Sequence, residues 1–355
     1  MEETNMVPYP DLIKNDTFQV PQATPSQVLI GLELLIGAIG LIGNTLVVLT
    51  IYRSKNLHYL TNYLILNLAI ADALLCLCSL LNPWLLWGKF ASDVLPYCFT
   101  TATIDSYLEV QIYSIFQRGL ANSSPMCLLL VTVERFVGIV HPLGHPDFFQ
   151  PRKLTTLLFL TWIIPFLLEL PTGLWFIIKY INNNCWASNA EQEPLIVLFP
   201  ILSSTLSVLV PIIAMIAMYS NIMRNLKRNA RSLEHQGING PPQELHRAHQ
   251  RVVNTLILVT IAFILLVFPS RVIFITTVAN LVNTEPQPVV EQQIVIILGA
   301  LNSSINPFFY GFKYDKFRKA LIAMICCKRR GNNVVPLRIE VTTVNGTGTH
   351  TMETV

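Results

Sequence analysis

Seven apolar stretches follow one another along this chain, at about 27–52, 61–87, 98–139, 154–178, 195–223, 252–280 and 290–312. A helix needs roughly 20 apolar residues to cross ~30 Å of hydrocarbon, and each stretch reaches that length. Charged residues make up only 13% of the chain and apolar ones 52%, whereas a soluble domain carries about 25% charged residues. The fold class expected is therefore an all-α membrane protein. Its parts are an outer tail over 1–26, a seven-helix transmembrane bundle over 27–312, a short cytoplasmic amphipathic helix over 313–327, and a polar tail over 328–355 expected to be disordered.

The distribution of basic residues sets the orientation. Of 24 lysines and arginines, 19 fall on one side, three (Lys14, Lys89, Lys179) on the other, and two (Arg118, Arg271) within spans. The positive-inside rule makes the richer side cytoplasmic, so the N-terminus is expected outside and the C-terminus inside. Residues 1–26 lack a basic start and an apolar run, so the first span is expected to act as the insertion signal. Asn15 heads an outer glycosylation sequon. Cys98 and Cys185 are the two cysteines near the oxidising face and are expected to pair. Cys326 and Cys327 follow the amphipathic segment, where palmitoylation is plausible.

Polar residues inside spans are the informative ones, because each costs a few kcal/mol at mid-bilayer unless paired or hydrated. The first span holds Gly43-Asn44, and the second Asn67-Leu68-Ala69 with Asp72. The third ends in Glu134-Arg135-Phe136, and the fourth carries Trp162. The fifth has Pro211 with Tyr219, and the sixth Phe263 and Pro269. The last ends in Asn302-Ser303-Ser304-Ile305-Asn306-Pro307-Phe308-Phe309-Tyr310. In this order the set resembles the rhodopsin-like (class A) G-protein-coupled receptors, over about 27–325. The Val133-Glu134-Arg135-Phe136 and Leu301-Asn302-Ser303-Ser304 runs look more like the neuropeptide receptors of that class.

The resemblance implies a multi-pass plasma-membrane receptor and no enzyme. Its implied partners are an extracellular ligand, a heterotrimeric G protein, arrestin and receptor kinases, with no nucleic acid among them. Activation residues would be Glu134, Arg135, Tyr219, Phe263, Pro269, Asn306, Pro307 and Tyr310. No cofactor is expected beyond a structural sodium ion held by Asp72, Ser124, Asn302 and Asn306. His249 stands where many relatives keep an acid facing the arginine, and Val267 where they keep a tryptophan. The first substitution implies raised ligand-independent signalling.

The third span departs further. From Cys98 to Arg135 is 37 residues, about twelve more than the resemblance implies, and as one helix ~55 Å long. Excising 108–119 restores a family-like helix, so the segment reads as an insert, native or an artefact of splicing or gene structure. If it is present, the helix is expected to break or bulge, and a non-signalling variant becomes an alternative. With the segment discounted, Asp105 takes the place of the amine-pairing carboxylate of aminergic receptors, facing Ser203, Ser204 and Ser207. The aromatic cage for an amine is poor, and Arg271 would repel a cation. A peptide pairing its basic end with Asp105 or Glu169, and an acidic or carbonyl group with Arg271 near Phe274, is the favoured ligand; a biogenic amine is the alternative. A transporter would call for repeated or broken helices. An intramembrane enzyme would need a base at depth, yet all seven histidines fall outside the spans.

Overall fold

The computed structural model of the chain describes residues 27–81, 104–183, 195–235, 240–282, 289–313 and 315–325. Its helices in chain order are α1 (Gln27–Arg53), α2 (Leu60–Leu80), α3 (Ile104–Val140) and α4 (Pro151–Asn183). Helix α5 runs through Leu195–Ser204, a π turn at Thr205–Leu209 and Val210–His235. Helices α6 (Pro241–Val282), α7 (Val289–Lys313) and α8 (Asp315–Ile325) complete the described chain. Six helices are long and apolar enough to cross a membrane, and α7 contributes a shorter apolar stretch over Gln293–Phe309.

Packing is antiparallel and sequential. Helix α1 lies against α2 and α7, and α3 runs through the middle, touching α2, α4, α5 and α6. Without a hydrophobic drive between helices in lipid, close approach depends on small residues and polar bonds. Gly40 shows this, since a side chain there would collide with Ser304 of α7 and the Cys76 sulfur of α2. Beside it, Asn44 Nδ2 donates to the Gly40 carbonyl (2.9 Å) and the Ser303 carbonyl (2.9 Å), tying α1 to α7. The inner half of the bundle holds an apolar core that includes Val47, Leu68, Val131, Met215 and Phe263. Leucines, isoleucines and phenylalanines such as Phe159 and Leu265 stand exposed on the outer faces, as expected where the surroundings are hydrocarbon.

Prolines shape three of the helices. Pro211 has no N–H to give the carbonyl one turn back, and α5 widens into its π turn just ahead of it. Pro269 and Pro307 lie within α6 and α7 without ending them, because neighbouring helices can satisfy the freed carbonyls. Helix α8 behaves as its pattern predicts: Phe317 is buried against the bundle, Met324 sits at Thr50 of α1, and Ile322 and Ile325 are exposed.

The expected break in the third helix is absent. Helix α3 is continuous for 37 residues, with Pro125 inside it. The segment 108–119 is knit into the bundle rather than looped out of it. Tyr113 donates to the Cys78 carbonyl of α2 (2.9 Å). Ile115 fills the space that a side chain at Gly173 of α4 would need, and Phe166 packs on Gly119. These contacts hold the extra length in helical register against α2 and α4.

Candidate functional site

Buried polar groups fall into three layers along α3. The first is at its C-terminal end, the inner end on the orientation expected from the basic residues. Arg135 donates from Nε to Glu134 Oε2 (2.6 Å) and from Nη2 to Glu134 Oε1 (2.9 Å), a bidentate pair. Thr61 of α2 donates to the same carboxylate (3.2 Å), and His145 Nε2 lies 3.4 Å from it. His145 arrives there because the connection after α3 folds into a single helical turn, His145–Phe148. Glu134 is buried while Arg135 keeps 18% of its side chain exposed, so the arginine still has a way out of the bundle. One turn deeper, the Tyr219 hydroxyl of α5 pairs with Thr132 Oγ1 (3.0 Å). Tyr59, at the start of α2, has its phenol pushed up by burial; a bond with Asn62 and the nearby Arg135 charge act against that shift.

The middle layer centres on Asp72, fully buried in α2. Ser303 Oγ donates to one carboxylate oxygen (2.8 Å) and Asn306 Nδ2 to the other (2.7 Å), with Ser124 of α3 buried nearby. Asn302 is buried one position before Ser303; the α7 side chains bonded to the carboxylate are those of Ser303 and Asn306. Ser303 and Asn306 are three apart and so share a helix face, a signal that was present in the sequence and went unused. A second bond set ties α2 to both α4 and α3: Trp162 Nε1 of α4 donates to Asn67 Oδ1 (2.9 Å), and Asn67 Nδ2 lies 3.0 Å from the Cys127 sulfur of α3.

The outer layer is the least familiar. Glu169 of α4 is buried and takes three donors: Arg118 Nε on Oε2 (2.8 Å), and Asn122 Nδ2 (2.6 Å) and the Ser203 hydroxyl on Oε1. Arg271 of α6 donates from Nη2 to Asn122 Oδ1. The Ser207 hydroxyl turns back to the Ser203 carbonyl. Arg118 and Asn122 are one helical turn apart on the same face of α3. Four helices, α3 to α6, thus meet around one carboxylate.

Of the residues expected at the ligand site, Glu169, Ser203 and Arg271 are brought together here. Ser207 joins through its bond to Ser203; Ser204 is buried beside them, and Phe274 lies one turn beyond Arg271. Asp105 is not at this level. Its expected place depended on removing 108–119; in the continuous helix it stands thirteen residues from Arg118, ~20 Å along the axis at 1.5 Å per residue. Arg118, assigned on sequence to the suspect insert, is an integral partner of Glu169. Asn122, absent from the ligand set expected from the sequence, is the bridge to Arg271. Phe263 is buried in the core, and Pro269 and Pro307 lie within α6 and α7. Tyr310 lies in α7 and His249 in α6, their side chains outside what is described. Asn15, Cys98, Cys185, Cys326 and Cys327 lie outside the described residues.

A helical bundle with a buried carboxylate seam and an acid–arginine pair at the inner end of its third helix has the architecture of a rhodopsin-like membrane receptor. The family model for the 7 transmembrane receptor (rhodopsin family) matches residues 43–310, and the chain belongs to that family. It is a G-protein-coupled receptor whose relatives include peptide receptors; the family is one of receptors, not of enzymes. Similar proteins include the somatostatin receptor type 5 of Rattus norvegicus, 27% identical over 84% of this chain and 77% of that receptor. The somatostatin receptor type 2 of Mus musculus is 26% identical over 88% of this chain and 80% of its own length. The octopamine receptor beta-1R of Drosophila melanogaster is 25% identical over 79% of this chain and 58% of its own length.

Proposed function

We propose that this chain is a plasma-membrane receptor, N-terminus outside, that binds an extracellular peptide and activates a heterotrimeric G protein. The G protein would engage the cytoplasmic ends of α3, α5, α6 and α7. The observation that carries the reading is the bidentate Glu134–Arg135 pair at the inner end of α3, in a chain that matches the receptor family across the whole bundle. An arginine clamped by its own neighbour and partly open to the cytoplasm is a releasable contact; Tyr219 held on Thr132 is a second one that must part when α5 moves. Basic residues Arg224, Lys227, Arg228, Arg247 and Arg251 line the inner extensions of α5 and α6, which supports the orientation.

Somatostatin receptors among the relatives favour a peptide. The octopamine receptor keeps an amine as the second reading, and Arg271 in the outer layer argues against it by repelling a cation. The segment 108–119 belongs to the working bundle on this reading, because it supplies Arg118 to the outer layer. Asp72, Ser124 and Ser303 present a carboxylate and two hydroxyls at a buried point, oxygen donors that suit a hard cation. A sodium ion there would supply charge that stabilises the closed packing of α2, α3 and α7. Threonines at 342, 343, 347, 349 and 351 are the expected receptor-kinase sites for arrestin recruitment.

The test is nucleotide exchange. Membranes bearing the receptor should load GTP onto a G protein above mock membranes even without ligand, since His249 replaces the acidic lock. One or more peptides should raise that rate, biogenic amines should not, and added sodium should lower it in the wild type but not in Asp72→Asn. Basal exchange equal to mock with no response to any peptide would remove the proposal.

A further inference from the structure

The outer layer is short of negative charge. Among the described residues, the ionised side chains gathered around Glu169 are Arg118, Arg271 and Glu169 itself, two cations against one anion, and Arg271 is within electrostatic reach of both others. Both oxygens of the carboxylate are engaged, one taking Arg118 and the other taking Asn122 and Ser203. Two guanidinium nitrogens are left over: Arg118 Nη2 and Arg271 Nε are buried and have no hydrogen-bond partner among the described residues. They come from α3 and α6, on either side of the Asn122 bridge.

A buried, unbalanced guanidinium is costly in a membrane interior unless something neutralises it. The site is nevertheless not sealed, since Arg118 keeps 20% of its side chain exposed. We infer that the outer layer is an anion subsite, in which Arg118 and Arg271 together receive a carboxylate of the activating ligand. A carboxylate supplies what the layer lacks: one negative charge and planar acceptors matching the guanidinium fork. An ammonium group supplies the opposite, a third cation beside a carboxylate already paired with Arg118. A peptide would enter acid first, by a free C-terminus or an acidic side chain; a C-terminal amide brings no charge to this point. The inference rests on the ligand-activated receptor reading and specifies its ligand chemistry.

The experiment uses the purified full-length receptor in detergent micelles and reads its thermal midpoint. The probes are benzoate and indole-3-acetate, each against its neutral amide, with chloride titrated separately. The acids should raise the midpoint with concentration and the amides should not. In Arg271→Gln the acids should bind at least about tenfold more weakly, the equivalent of one lost charged hydrogen bond. Acid and amide acting alike, chloride reproducing the whole effect, or Arg271→Gln retaining full acid affinity would each overturn the subsite. If Arg271→Gln does not fold, Arg118→Gln takes its place, and the acid–amide contrast on the unaltered chain decides regardless. G-protein nucleotide exchange, measured on the same preparation, reports on the receptor reading separately: its loss with the acid–amide contrast intact would sink that reading alone.

Discussion

The inner and outer ionic layers of α3 use similar residues in opposite ways. At the inner end, one acid and one arginine adjacent in sequence satisfy each other bidentately, with Thr61 and His145 adding to the acid. That layer is neutral and complete, so it is suited to be opened and closed. In the outer layer one acid on α4 takes donors from α3 and α5, and a second arginine, on α6, reaches only the Asn122 bridge. That layer is incomplete, so it is suited to receive something. A membrane-buried ion pair therefore says little until the charges around it are counted: balance marks a switch, imbalance marks a seat.

The sharpest way to break this contrast is to remove each acid in turn. Glu169→Ala leaves two buried cations facing each other and should cost about 3–5 kcal/mol of stability, the price of an orphaned buried charge. The measurements are thermal unfolding in detergent and surface expression, both of which should collapse. Glu134→Gln should do the reverse, leaving the fold intact and releasing Arg135. Losing a charge-assisted pair of about 1.5–3 kcal/mol corresponds to roughly a 10–100-fold shift toward the open form, seen as higher basal GTP loading. Equal destabilisation by the two changes would erase the distinction.

Two smaller changes sharpen it. Gly40→Val places atoms against Ser304 and Cys76 and should cost about 1–3 kcal/mol by overpacking. Because Gly40 lies outside both ionic layers, its effect should appear in the thermal midpoint and leave the selectivity between acid and amide ligands unchanged. Tyr219→Phe removes the bond to Thr132, worth about 0.5–1.5 kcal/mol. If that bond holds the closed form, basal nucleotide exchange should rise several-fold; an unchanged rate would show that α5 is held by packing alone.

How much of this was legible in sequence differs along the same helix. Asp72, Asn306, Glu134 and Arg135 could be placed in advance because their partners lie at characteristic positions of the family, and the structure joins Asp72 to Asn306 and Glu134 to Arg135. Ser303 was overlooked in favour of its neighbour Asn302, since adjacent polar residues differ only in the face they occupy. Arg118 is harder still to place from sequence. An arginine in an apolar span looks like an intruder when its partner is 51 residues away on another helix, and discarding the segment around it also misplaced Asp105 by ~20 Å along the axis.

The sequence alone determined that this chain crosses a membrane as seven helices, and which end of the bundle faces the basic side. Hydrophobic length and charge asymmetry act locally, residue by residue along the chain, so both can be read without knowing any contact. Tertiary structure decided whether α3 runs unbroken and which cation meets which anion in its outer half. Those outcomes depend on the grooves that α2 and α4 offer and on the rotation of α4, α5 and α6 about one carboxylate. Pairing between distant helices is a property of their packing, and no local pattern encodes it.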